Sequence, residues 1–450
     1  MLSWEGNFLR IFTFSLNMSR EETIAQVVMD YLDLSINGIE RELSVPDDLT
    51  VNKAVTIIGP RRVGKTFYIL QKFSKLRKAG KAAVFFPLDD DRIYPPSLED
   101  LSTLVKVFYE LFPDAKEKYL FLDEVQAVDG WELFVKRAVE RDGFRVYLTG
   151  SSSKLLSREI ATALRGRTLT FEMFPFSFRE FLRAKGFTPG KYLSTRDEAR
   201  IKAFLREYLE FGGFPEVVLL DDPFLKRKTL SEYVDVMLYR DVVERHNVKN
   251  LKAIRLFLKL LMTSFTKEFS INRMTRYMKG MGVEVSRNTL YSYFSYFEEA
   301  YVVFPLRKFS HNLKEIEKSL PKVYVIDSGL INAYSPRSGE SIGRLIENAV
   351  FLELRRQEKE LYYFKDERGR EVDFVVVGDG GVSELIQVSY SLDEPETFER
   401  EISALMSASE KLNCDSLTII NWERDDTIDV EGKKVRLVPL WKFLLGGEWG

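Results

Sequence analysis

The residues Gly59-Pro60-Arg61-Arg62-Val63-Gly64-Lys65-Thr66 fit the spacing G-x-x-x-x-G-K-[ST], and their chemistry is that of a phosphate cradle. Gly59 and Gly64 let the backbone curl round an anion with no Cβ in the way. The loop amides and the first turn of the following helix then face that anion. Lys65 adds a point charge for β- and γ-phosphates, and the Thr66 hydroxyl is a ligand for Mg2+. Pro60 and Val63 complete the loop, and Arg61 and Arg62 face either phosphate or a protein neighbour. A second group lies in Tyr119-Leu120-Phe121-Leu122-Asp123-Glu124, an apolar run that ends in two carboxylates. At the C-terminal end of a buried parallel strand such acids face the ligand crevice. Asp123 suits the second shell of Mg2+ and Glu124 suits the polarising of an attacking water, although helix capping is the plainer role for either. Further on, Thr149-Gly150-Ser151-Ser152-Ser153 offers Ser151 to a water or a γ-phosphate, or to the cap of the next helix. Arg165 and Arg167 then stand as candidates to stabilise charge at a transferring phosphoryl group, within the chain or on a neighbouring subunit. Ordinary surface ion pairs are the alternative for both.

These residues need elements to position them. Residues 20–34 read as a helix capped by Ser19, with apolar residues at helical spacing. Residues 51–59 read as a buried strand, which leads through the glycine-rich turn into a helix that stops at Gly80. Strands follow at 81–90, 119–124 and 145–151, with helices near 99–112 and 131–141 between them. This alternation predicts a parallel sheet covered by helices on both faces. From about residue 195 the pattern becomes helical, with Ile201, Phe204, Leu205, Tyr208 and Leu209 on one face. Residues 251–310 read as three helices and a strand, and from about 320 strands and helices mix again.

Composition bounds the function. The chain has 450 residues, enough for about three domains at ~150 residues each. Its net charge of −2 and 45% apolar content exclude a disordered chain or a basic coat for nucleic acid. One cysteine, Cys414, excludes an internal disulfide and a cysteine-based zinc site. Two distant histidines, His246 and His311, argue against a histidine metal site or a Ser-His nucleophile. No run reads as membrane-spanning, and Arg10 interrupts the apolar start, so a signal peptide is not expected. The cytoplasm is the expected compartment.

The strings GPRRVGKT, YLFLDEVQAVDGWE, YLTGSSSKLLSREIATALRGR, FPFSFREFL, YLEFGGFPEV and YVDVMLYRDVVERHNV together resemble a family of archaeal and bacterial AAA+-type P-loop ATPases. The resemblance covers roughly residues 20–450. It implies an α/β fold: a P-loop NTPase parallel sheet, a helical lid, a winged-helix-like module and a C-terminal α/β domain similar to the PD-(D/E)xK nuclease fold. The expected boundaries are 1–50 for an N-terminal arm and helix, 51–190 for the ATPase core and 191–250 for the lid. The winged helix follows at 251–315 and the nuclease-like domain at 316–450. The resemblance further implies ATP binding by 59–66, Mg2+ held by Thr66 and Asp123, and Glu124 as the catalytic acid.

The last two regions carry their own signals. Residues 251–310 hold ten Lys and Arg against four Glu, a net of +6 in a chain of net −2. Such asymmetry suits a module that faces nucleic acid, or simply a solvated face. Leu290, Tyr293, Phe294 and Phe297 make a buried stripe that turns Arg287, Asn288, Tyr291 and Ser292 outward near the start of a recognition helix. Arg273, Arg276 and Lys279 are placed to meet phosphates of double-stranded DNA. In nucleases of the similar fold, a helix acid, a strand Asp and an E-x-K strand hold the metal and water. Here Glu347 and Asp373 match, but the E-x-K positions read Gln387-Val388-Ser389, and Glu384 is followed by Ile386. A lysine would have to arrive from Lys365 or Lys411. The domain is therefore expected to be inactive, with Glu347, Asp373 and Arg370 serving a buried polar network. The leading expectation is Mg-dependent ATP hydrolysis coupled to a DNA-binding module. A nucleotide-gated DNA-binding or protein scaffold and an ATP-regulated nuclease are the alternatives. DNA, a protein partner and the oligomeric state stay open.

Overall fold

Ala54–Ile58 is apolar or β-branched at every position, and in the computed structural model it forms a strand, β1, with every side chain buried. Residues 18–46, 51–150, 166–334 and 342–446 are described. They divide into two units, Met1–Met173 and Phe174–Gly450. In the first unit β1 is joined by β2 (Ala82–Pro87), β3 (Lys118–Asp123), β4 (Phe144–Thr149) and β5 (Thr168–Glu172). All pair in parallel, in the order β2-β3-β4-β1-β5. Buried on both faces, β1 to β4 read as continuous apolar runs, as parallel strands do. β4 lies between β1 and β3, so the C-terminal ends of all three share one edge.

Helices Lys65–Lys78, Leu98–Leu111 and Trp131–Glu140 link these strands. The Leu98 helix begins on a reciprocal cap, in which Ser97 and Asp100 bond one another's backbone amides. Phe121 of β3 stacks on Tyr147 of β4 with centroids 4.7 Å apart, and Phe73 of the Lys65 helix meets Phe121 edge-on at 5.8 Å. Burying each such ring is worth about 2–3 kcal/mol, which holds the helix and the two strands at fixed spacing. The strand β5 was not foreseen: Thr168–Glu172 is half-buried at the sheet edge and carries no continuous apolar run.

In the second unit Ile201, Leu205, Tyr208 and Leu209 are buried on the helix Thr195–Phe211, as the spacing predicts, while Phe204 is half-buried. The helical run to residue 245 holds one irregular element: Met237–Glu244 is a π-helix. Helices Leu251–Thr263, Ile271–Gly280 and Arg287–Glu299 follow, then an antiparallel pair, β6 (Val303–Leu306) and β7 (Lys322–Val325). The last region is a six-stranded mixed sheet of β8 (Glu360–Lys365), β9 (Glu371–Gly378), β10 (Gly381–Val388), β11 (Leu417–Asn421), β12 (Asp426–Val430) and β13 (Lys433–Pro439). Its order is β12-β13-β11-β10-β9-β8. Successive residues of β9 serve opposite faces. Phe374 packs with Phe351 of the helix Ile342–Arg356, whereas Val375 joins the core beneath the helix Pro395–Leu412. The fold is thus α/β, with the parallel P-loop sheet in the first unit and a C-terminal α/β region in the second.

Candidate functional site

The loop from Gly59 to Gly64 joins β1 to the Lys65 helix. Gly59 has φ +146°, and a Cβ there would lie 2.2 Å from the Met173 carbonyl oxygen. That close approach is fixed by the Met173 amide, which donates to the Ile58 carbonyl at 2.8 Å. Gly64 is the left-handed N-cap of the helix and supplies no side chain to it. The first helical amides are therefore left to face the loop. Arg62 also has a positive φ, 69°, which is unusual for a residue with a Cβ. Lys65 is buried, and its Nζ donates to the carbonyls of Gly59 and Pro60, both at 2.9 Å. The ammonium thus closes the loop on itself. The Arg41 guanidinium donates to the Val63 carbonyl at 2.7 Å and clasps the loop from the segment before β1.

Asp123 ends β3 and is buried. The hydroxyl of Thr149, at the end of β4, donates to its carboxylate, and the Thr66 hydroxyl hydrogen-bonds it as well. Burial pushes the Asp123 carboxyl up to about 6 against these bonds, and the nearby charges of Glu124 and Asp89 push the same way. Glu124 sits in the left-handed region, φ 52°; its amide donates to Thr149 Oγ1 at 3.3 Å. The Gln126 amide donates to the Glu124 carboxylate. Asp89, two residues past β2, is raised by burial and by Glu124. One hydroxyl, Thr149, therefore ties together the acids at the edge where the phosphate loop also ends. Among the described residues no group of three or more carboxylates, histidines or cysteines is arranged to hold a metal by itself; the charges of Asp89 and Glu124 nevertheless act on Asp123, and Thr66 hydrogen-bonds it.

Other candidates are placed elsewhere. Ser151 and Arg165 lie outside the described residues. Arg167 is not brought to the loop. Its carbonyl accepts the Ala54 amide at the start of β1, about 15 Å along the strand from the phosphate loop, and its guanidinium pairs with Glu140. On the three-helix region, Arg273, Arg276 and Lys279 are exposed on one helix, and Arg287, Asn288 and Tyr291 on the next. Leu290, Tyr293 and Phe297 are buried, as the spacing predicts, with Phe294 half-buried.

The C-terminal region holds a charged centre that the sequence disclosed only in part. Glu347 and Asp373 do come together, but through Lys322 of β7. Its Nζ lies 3.1 Å from Glu347, 2.8 Å from Asp373 and 2.7 Å from Glu371. Burial would lower the Lys322 ammonium, but Asp373 and Glu347 hold it well above the usual lysine range. Burial, with the Asp373 charge, pushes the Glu347 carboxyl up to about 7. Gln387 accepts from the Asp373 amide at 3.1 Å and donates to Glu401. Ser389 turns away and donates to the Ser391 carbonyl at 2.9 Å. Lys365 binds Glu268 and Glu371 at the rim, and Lys411 lines a cleft that Lys365 also borders. The lysine at the centre is Lys322 and neither of these. Arg41 and Lys322 had no motif to announce them, and Thr149 was marked only as the start of the polar string that ends β4.

Among the described residues no helix is long and apolar enough to cross a membrane. Residues 51–182 match the family model of an AAA domain. Residues 202–341 and 342–443 match two models described as domains of unknown function. The uncharacterized protein MJ1544 of Methanocaldococcus jannaschii is 38% identical over 448 residues, which cover 97% of this chain and 98% of that one. An uncharacterized protein of Haemophilus influenzae is 27% identical over 342 residues, 76% of this chain and 82% of that one. Among solved structures, the Walker-type ATPase PABY2304 of Pyrococcus abyssi aligns with a TM-score of 0.42 at 12% identity, over 70% of this chain and 94% of that one. The chain carries an AAA-type P-loop ATPase domain, and it belongs to the family of the Methanocaldococcus protein that it matches from end to end.

Proposed function

We propose that this protein hydrolyses ATP with Mg2+ at the Gly59–Thr66 loop and couples the nucleotide state to a DNA-facing winged-helix module. The observation that carries the reading is the meeting of the lysine-closed loop with the Asp123–Thr149–Thr66 cluster at one sheet edge. On nucleotide binding, Lys65 would leave the Gly59 and Pro60 carbonyls for the phosphate chain. Thr66 and Asp123 are the residues to hold Mg2+, which would neutralise charge on the phosphates. Thr149 keeps the Asp123 carboxylate oriented toward that edge. Glu124 would accept a proton from the attacking water as the terminal phosphate bond breaks and ADP leaves. A left-handed backbone aims Glu124 and the Gln126 amide holds its carboxylate.

We read residues 191–250 as a lid, 251–315 as the winged helix and 316–450 as a nuclease-like domain that has lost its chemistry. The exposed Arg273, Arg276, Lys279, Arg287, Asn288 and Tyr291 support DNA contact by the winged helix. The Gln126–Glu124 bond favours a second reading, a nucleotide-gated DNA-binding protein with little turnover, because a carboxylate tied to an amide is a poorer base. Steady-state ATP hydrolysis, with and without double-stranded DNA and with Lys65→Ala as blank, separates the two. A Lys65-dependent rate that DNA raises several-fold is the expected result. A Lys65-independent rate would refute the site, and a DNA-indifferent rate would point to a protein partner.

A further inference from the structure

The carboxylates of the C-terminal region are arranged around a cation, and that cation is part of the chain. The ammonium of Lys322 has three N–H bonds, and three carboxylates stand within 3.1 Å of its nitrogen: Glu347, Asp373 and Glu371. They come from two elements: Glu347 from the helix Ile342–Arg356, and Glu371 and Asp373 from the first and third residues of β9. Lys322 itself comes from β7, outside the six-stranded sheet. The second oxygens of the two β9 acids are in use. The second oxygen of Asp373 takes the Val388 amide at 3.0 Å, and that of Glu371 takes Lys365 at 3.3 Å. The Glu347 oxygen that faces Lys322 also takes the Tyr324 hydroxyl at 2.7 Å. Gln387, where a further carboxylate would stand, spends its amide on the Asp373 backbone and on Glu401. A hard divalent ion needs about six oxygens, and here the oxygens that point inward already receive N–H or O–H donors.

We propose that Lys322 is the resident cation of this centre, occupying the place of a divalent metal, and that the C-terminal domain takes no metal there while Lys322 is present. The inference rests on the geometry of the centre alone and not on the nucleotide reading. It has a converse. Removing the ammonium leaves three carboxylates around one point. Their oxygens stand 2.7–3.1 Å from it, and Mg2+ or Mn2+ needs them drawn in to about 2.0–2.2 Å, a contraction of about 0.5–1.1 Å. Lys322→Met therefore turns a self-neutralised centre into a divalent-cation site. With Lys322 in place the centre has no metal with which to activate water.

The test is Mn2+ titration of the full, nucleotide-free chain, read by the spin resonance of free Mn2+. The chain with Lys322 and its Asp373→Asn variant are expected to bind the same number of ions. Lys322→Met is expected to bind one more, and Lys322→Met with Asp373→Asn to lose it again. An ion bound by the Lys322 chain and absent in Asp373→Asn would overturn the proposal, because the lysine would then be a partner of a metal and not its replacement. A folded Lys322→Met variant that binds no extra ion would also overturn it. Where Lys322→Met unfolds, its melting curve is measured with Mn2+. A tenfold excess over the dissociation constant should raise the folded-to-unfolded ratio about tenfold. No change with Mn2+ would count against the proposal.

Discussion

Replacing Asp123 with Asn should stabilise the empty protein while disabling it, by an amount that grows as pH rises from about 4 to about 6. Asp123 is 3% exposed, and its carboxyl is pushed from 3.8 to about 6, first by burial and then by Glu124 and Asp89. A raised carboxyl means the folded state prefers the protonated form. The stability this contributes is fully present below pH 3.8 and is lost as pH rises through about 6. Two units at 1.36 kcal/mol each put that loss at about 3 kcal/mol by pH 8. Asn keeps an oxygen to accept from Thr149 and Thr66 and cannot ionise. Asp123→Asn should therefore exceed the parent by about 2–3 kcal/mol at pH 8 and converge with it near pH 4. The assay is urea unfolding of the nucleotide-free chain in EDTA at pH 4.5 and pH 8. With Mg-ATP the order should reverse, since only the parent has the Asp123 charge for the ion to neutralise. A variant less stable at pH 8, or stabilised equally at both pH values, would refute the account of Asp123 as a desolvated acid waiting for a cation.

Glu124→Gln should bind ATP as the parent does and hydrolyse it about 10²–10⁴-fold more slowly, measured by single-turnover kinetics. Equal turnover would remove Glu124 from the reaction. Gly59→Ala should lower stability by about 2–4 kcal/mol and abolish nucleotide binding, because its Cβ would fall 2.2 Å from the Met173 carbonyl at a φ of +146°. Normal binding would mean that the loop is free to shift. Arg276→Ala should weaken duplex DNA uniformly across sequences and lower the salt slope of log K by about 1, while Arg287→Ala should also relax sequence preference. An unchanged salt slope would take Arg276 off the DNA path.

The phosphate loop was legible because all its parts are neighbours in the chain: two glycines, a lysine and a threonine between an apolar strand and a helix. Asp123 was legible as the acid that closes an apolar run. Thr149 was not, because its partner is chosen by strand order. Only once β4 lies between β1 and β3 does the hydroxyl at its end reach the acid. Arg167 misled for the same reason: its closeness in sequence to Arg165 says nothing about which end of β1 its backbone pairs with. The C-terminal centre failed at one residue. Spacing along β9 and β10 placed Asp373 and Gln387 together, but the lysine comes from β7, which precedes Glu347 and pairs with β6. Ser389 follows Val388, where β10 ends, so the E-x-K spacing carried it past the strand. β5, β8, β12 and β13 were missed because none presents a full apolar run; their residues are in large part half-buried or exposed.

The self-closed loop sets a threshold on what can enter it. In the empty protein Lys65 already has two carbonyl acceptors, so an incoming ligand wins the ammonium only by offering more negative charge at that point than two carbonyl dipoles do. On the proposed nucleotide reading, a nucleoside monophosphate would have nothing to place there and would leave the lysine where it is. A diphosphate would reach it, and a triphosphate would surround it. The loop would thereby count phosphates before any base is recognised, and the loss of the last phosphate would return part of the lysine's allegiance to Gly59 and Pro60, giving the spent nucleotide a built-in competitor that favours its departure.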